Sequence, residues 1–133
     1  MNKLILLSFF IILVKLINHS SAENQEYQGV KLRILNKDTT EKSFYTLPLS
    51  QTLEINNTII VVHRCVLKIE KGRQEEVALI SHEYKNSEKI QDKFFGWIFR
   101  SSHYINSPHN PSLDIRLDSC LEKDPIFLKK SSF

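Results

Sequence analysis

Glycine is scarce in this chain: three occur in 133 residues, beside four prolines, two cysteines and a single tryptophan. So few glycines leave little material for a phosphate-cradling loop, and no G-x-S-x-G, H-E-x-x-H or EF-hand pattern is present. Two cysteines exclude a cysteine-only zinc site and a multi-bridge scaffold, and the absence of C-x-x-C argues against a thioredoxin-like role. A surplus of one charge is missing too. Beyond Ala22 there are 16 basic and 15 acidic side chains, and a net charge of +1 is no footprint for nucleic acid or an anionic membrane.

What is present is enough for one packed domain, with 41% apolar and 25% charged residues. The apolar residues are unevenly placed. Residues 1–22 open with Met1-Asn2-Lys3, run through Leu4 to Val14 with only Ser8 polar, and close on Asn18-His19-Ser20-Ser21-Ala22. A basic start, a short apolar run and small residues before a cut after Ala22 are the three regions of a secretory signal peptide. The run is too short for a spanning helix, which needs about 20 apolar residues, and Lys15 breaks it. No transmembrane helix is expected to remain after cleavage. Export gives the cysteines a meaning: in an oxidising compartment Cys65 and Cys120 are expected to form one structural disulfide.

Residues 23–30 are polar and read as a flexible entry to a single β domain over 31–121, with a basic C-terminal tail over 122–133. Within the domain, Leu32 and Ile34 alternate with Lys31 and Arg33. Pro48 marks a kink or a sheet edge in 44–55, and Asn56-Asn57 marks a turn. Thr58 to Ile69 is the strongest strand, rich in β-branched residues. Lys71-Gly72-Arg73 is a turn, Glu76 to Tyr84 a strand, and the charged 85–93 segment a loop or a helical turn. Phe94 to Arg100 reads as a strand, 101–111 as a loop, and Leu113, Ile115 and Leu117 alternate with Asp114, Arg116 and Asp118. Short strands with turn punctuation and no helical stripe predict an all-β fold, a small antiparallel sandwich or partly closed barrel. Cys65 shares parity with Ile59, Val61 and His63, whereas Cys120 shares parity with the polar side of its strand. Either a bulge precedes Cys120 or it lies beyond the regular part of the strand.

Few residues offer chemistry. His63-x-Cys65 would place two ligands on one strand face, but no second pair is identifiable and a bonded Cys65 cannot bind metal, so no metal or other cofactor is expected. Asp114 and Asp118 could form an acid–base pair for glycan hydrolysis, but Arg116 between them favours the other reading, in which it pairs with both on a solvated face. Ser101, Ser102 and His103 are adjacent, which rarely gives the geometry of a nucleophile and base. Phe95, Trp97 and Phe99 share a face. Core is the reading for Phe95 and Phe99, while Trp97 is open between core and a stacking platform.

The run Gly96-Trp97-Ile98-Phe99-Arg100-Ser101-Ser102, followed by Asn106, Pro111, Asp114 and Cys120, resembles an exported alphaproteobacterial family called domain of unknown function 2155. Its signature is G-W-M-F-x-S-S, then Asn, then H-P-x-Y-D-V-W and a closing cysteine. Cys65, Leu35-Asn36-Lys37 and Pro48 fit its earlier part, so the resemblance covers about residues 31–120. Asn110, Leu113 and Arg116 depart from it, where the family has histidine, tyrosine and tryptophan. The resemblance implies a periplasmic envelope protein and no particular activity. Together with the absent catalytic motifs, it leads to the expectation of a non-catalytic interaction or accessory module that meets an envelope protein or cell-wall component. A glycan hydrolase using Asp114 and a second acid, or a glycan-binding domain with Trp97 as platform, are the alternatives. Trp97, Asn106 and Asp114 are the candidate binding residues.

Overall fold

The computed structural model describes residues 2–15, 23–125 and 129–132. Among these residues one helix, α1 (Lys3–Lys15), precedes nine strands. Its Leu4, Ile5, Leu7, Phe10, Ile11 and Ile12 are exposed. Among the described residues no helix is long and apolar enough to cross a membrane. The expected cut after Ala22 falls outside the described residues.

Strands β1 (Glu23–Tyr27), β4 (Thr52–Ile55), β5 (Thr58–Glu70), β6 (Arg73–Asn86) and β7 (Lys89–Phe99) form one antiparallel sheet, in the order β1-β5-β6-β7 with β4 also paired to β5. Strands β2 (Gly29–Asn36), β3 (Lys42–Pro48), β8 (Leu113–Leu121) and β9 (Lys129–Ser132) form the other, in the order β8-β2-β3-β9. The two sheets face each other as an open sandwich, not a closed barrel. Its core holds Val30, Leu32 and Ile34 from β2, Leu47 from β3, Ile60 and Val62 from β5, and Ala78 and Ile80 from β6. Ile98 from β7, Leu113, Ile115 and Leu117 from β8, Leu53 from β4 and the two cysteines belong to it as well. The period-two stretches anticipated in β2, β5 and β8 supply this core because alternate side chains of a strand point to one face.

Three segments differ from the sequence reading. Glu23–Tyr27 is no loose entry. It pairs in register with Cys65–Ile69 of β5, where backbone hydrogen bonding overrides a polar composition. The segment 85–93 is neither a loop nor a helical turn. It is a hairpin whose two-residue turn, Ser87-Glu88, holds both residues at positive φ. The tail contains β9, which pairs with Ser43–Thr46 of β3.

Cys65 and Cys120 are disulfide-bonded, with Cα atoms 5.6 Å apart, and join β5 of the larger sheet to β8 of the smaller one. Two bulges make this possible. In β8 the pairing steps from Leu117 to Ser119 against consecutive β2 residues, so Asp118 is the extra residue and Cys120 turns inward. In β5 it steps from Val62 to Arg64, so His63 is extra and Cys65 joins the inward row of Thr58, Ile60 and Val62. The first bulge is one of the two alternatives the alternation left open. The second corrects the face assigned to Cys65, which His63 does not share. A disulfide between sheets persists in oxidising compartments.

Candidate functional site

The outer face of the larger sheet carries the most distinctive side chains. Cross-strand register sets Arg64, Leu79 and Trp97 in one row and Val61, Ser81 and Phe95 in the next. Because His63 is the bulge residue, both His63 and Arg64 reach this face. The His63 Nε2 lies 3.0 Å from Ser81 Oγ, and its ring meets Phe95 edge-on at 5.6 Å between centroids. Arg64 lies over Trp97 at 5.4 Å and Lys68 over it at 5.7 Å, within the range of cation–π attraction. Arg64 also pairs with Glu26 of β1, whose hydrogen bond and charge raise its pKa further. Phe95 is 69% exposed. The core reading of Phe95 is therefore wrong. The inward row of β7 is Phe94, Gly96 and Ile98, while Phe95, Trp97 and Phe99 line the outside, the last two half-buried.

The loop between β7 and β8, residues 100–112, braces this edge strand. Ser101 donates its backbone N–H to Glu75 Oε1 at 3.0 Å, and its hydroxyl contacts the same carboxylate. Asn106 donates from Nδ2 to the Trp97 carbonyl at 3.0 Å. That carbonyl points away from β6, so the loop blocks part of a free sheet edge. Gly96 makes room for it: a Cβ there would stand 2.8 Å from Asn106 Nδ2 and 3.1 Å from the Phe94 ring. His109 Nδ1 lies 3.5 Å from Asp92 Oδ2 at the far end of the loop. Between these anchors the tip projects, with Tyr104 94% and Ile105 68% exposed.

Asn110, read from sequence only as a departure from a pattern, is the buried hub of the loop. Its Nδ2 donates to Thr58 Oγ1 at 2.8 Å and lies 3.0 Å from His82 Nε2. Its Oδ1 accepts the N–H groups of Ser112 and Leu113 at 3.0 and 2.9 Å, and its backbone carbonyl accepts Lys37 Nζ at 2.7 Å. The turn-forming series Asn110-Pro111-Ser112 was the available signal, since asparagine commonly bonds backbone N–H groups two residues on. Burial pushes the His82 imidazole below its ordinary pKa, against the pull of Asp92 and Glu83.

The acids do not converge. Asp114 Oδ2 is 2.8 Å from Arg116 Nε, and Asp118 Oδ2 is 3.7 Å from Lys31 Nζ. Among the described residues no group of three histidine, cysteine, aspartate or glutamate side chains could hold a metal ion. Ser102 makes no catalytic contact with His103, whose ring instead lies 6.3 Å from that of Tyr104.

The model of an uncharacterised protein family conserved in bacteria, DUF2155, matches residues 30–120. The chain belongs to this family. No curated protein and no solved structure matches it. The matched stretch runs from β2 to Cys120, and so takes in both halves of the disulfide, the Trp97 face and the whole bracing loop of this DUF2155 member.

Proposed function

We propose that this DUF2155 protein is exported to the periplasm, loses residues 1–22 and serves as a non-catalytic binding module. It engages an envelope protein or cell-wall component through the outer face of its larger sheet. The observation that carries the reading is the strip of exposed Phe95, half-buried Trp97 and flanking Arg64, Lys68 and His63. Large aromatics beside arginine are the side chains that dominate recognition surfaces. The apolar leader and the disulfide support export. A hydrolase built on Asp114 finds no support in the geometry, since both loop-proximal acids face basic partners.

Two measurements test this. Mass spectrometry of protein expressed in a Gram-negative host should show a mature chain beginning at Glu23; full-length protein in the inner membrane overturns the export reading. Phe95→Ser should abolish capture of the envelope component that wild type retains, without altering the melting temperature. Arg33→Ala, on the opposite sheet, should leave capture unchanged. Equal capture by wild type and Phe95→Ser would refute the binding face.

A further inference from the structure

The buried contact between Asn110 and His82 has a fixed proton arrangement. An asparagine side chain has two N–H bonds to donate and two carbonyl lone pairs to accept with. The Asn110 oxygen faces two backbone donors, the N–H groups of Ser112 and Leu113, so the amide cannot be turned around. Its nitrogen must therefore face Thr58 Oγ1 and His82 Nε2, using both hydrogens. The imidazole nitrogen at 3.0 Å can only accept, which places the His82 proton on Nδ1. That Nδ1 is buried and meets no side-chain partner among the described residues; the acceptor within its reach is the backbone of His82 itself. His82 itself is fully buried between Ile60 of β5 and Phe94 of β7.

We propose that this contact is an acid-sensitive latch: a proton from solvent taken up on His82 Nε2 sets N–H against N–H and releases the 101–112 loop from the sheet. The arrangement has no neutral escape, because rotating the Asn110 amide would sacrifice both backbone bonds. The charges around it pull in different directions. Asp92 on β7 and Glu83 on β6 favour the protonated ring, while apolar burial disfavours it. His109, on the loop itself, is attracted more strongly to Asp92 when protonated and so opposes release. Lys37, a basic side chain, donates to the Asn110 carbonyl from the loop's other side. Since the same loop supports the Trp97 carbonyl through Asn106, release also frees the edge strand behind the aromatic strip. The latch itself does not depend on what that strip binds.

Amide exchange and imidazole nitrogen shifts, measured by NMR on the disulfide-intact protein between pH 8 and pH 5, test the latch. At neutral pH the shifts should show the proton on Nδ1. Protection factors at Ser112 and Leu113, corrected for intrinsic exchange, should fall below about pH 6.5 by a factor approaching ten per pH unit. Core amides such as Val62 and Ile80 should stay protected. His82→Gln keeps an acceptor for Asn110 but cannot be charged, so its loop protection should be flat with pH. His109→Ala removes a contact that opposes release, so it should keep the fall in loop protection and make it at least as steep as in wild type. A proton on Nε2 at neutral pH, titration of His82 with the loop still protected, or joint opening of loop and core would each overturn the proposal. These readings come from wild type alone and stand even if a variant fails to fold.

Discussion

Gly96 faces inward from an edge strand, where its missing side chain admits the Asn106 amide and the Phe94 ring. Gly96→Ala must push Asn106 off the Trp97 carbonyl or shift the strand. Overpacking of this kind costs about 1–3 kcal/mol, to be read as a lowered urea midpoint at unchanged slope. Trp97 behaves differently from a core tryptophan. Its ring lies on the outside under Arg64 and Lys68, so Trp97→Ala should cost less than the ~3–5 kcal/mol typical of a fully buried aromatic. A loss at the upper end of that range in chemical denaturation would show that Trp97 is a core residue after all. Asn110 is the residue with most to lose, because its removal strands two backbone N–H groups and the Thr58 and His82 side chains together.

The three tight hairpins show which elements the sequence announces. Asn56-Asn57 and Lys71-Gly72 occupy two-residue turns at positive φ, and asparagine and glycine are the residues that adopt such backbone readily. Ser87-Glu88 makes the same turn with neither, at φ values of 48° and 69°, and so the β6–β7 hairpin was illegible. Replacing Glu88 with glycine should relieve that strain and stabilise the protein by about 0.5–1 kcal/mol, measurable by urea titration. A destabilisation would place the cost elsewhere in the turn. Alternation in β2, and in β8 as far as Leu117, identified core strands, since their buried rows are apolar at every second position. Strand β5, apolar on both faces as far as Val62, was legible as a buried strand but not in which row faces the core. Alternation misassigned β7, which is bulky on both faces, so that parity alone could not say whether the Phe95 or the Phe94 row faced inward. The bulges at His63 and Asp118 leave no compositional mark, yet they decide where both cysteines point. The polar strand β1 was missed because its place is set by an unpaired stretch of β5 and not by its own side chains.

For the whole molecule, the bond between Cys65 and Cys120 links the two sheets across 55 residues of chain. The chain-entropy account gives about 4 kcal/mol for a loop of that size, so Cys65→Ser or Cys120→Ser should cost about 2–5 kcal/mol in equilibrium unfolding. An unchanged unfolding midpoint would mean the sandwich is held without it. Stability should also depend on acid. His82 is neutral and buried in the folded state with its pKa lowered, so below about pH 6.5 the unfolded chain binds the proton more readily than the folded one. Stability is therefore full above that pH, falls as pH drops, and levels off once the folded His82 protonates too; His82→Gln should flatten this part of the curve. The sheet order carries one more consequence. Strand β8 pairs with β2 at the opposite end of the domain's sequence, and the chain is synthesised from its N-terminus. Every strand of the larger sheet has emerged by Phe99, whereas β2 waits until Leu121 for its second neighbour. When Phe99 has emerged, the larger sheet is therefore complete in sequence while the smaller one is still only the β2–β3 hairpin, a half-width cover that β8 and then β9 must widen.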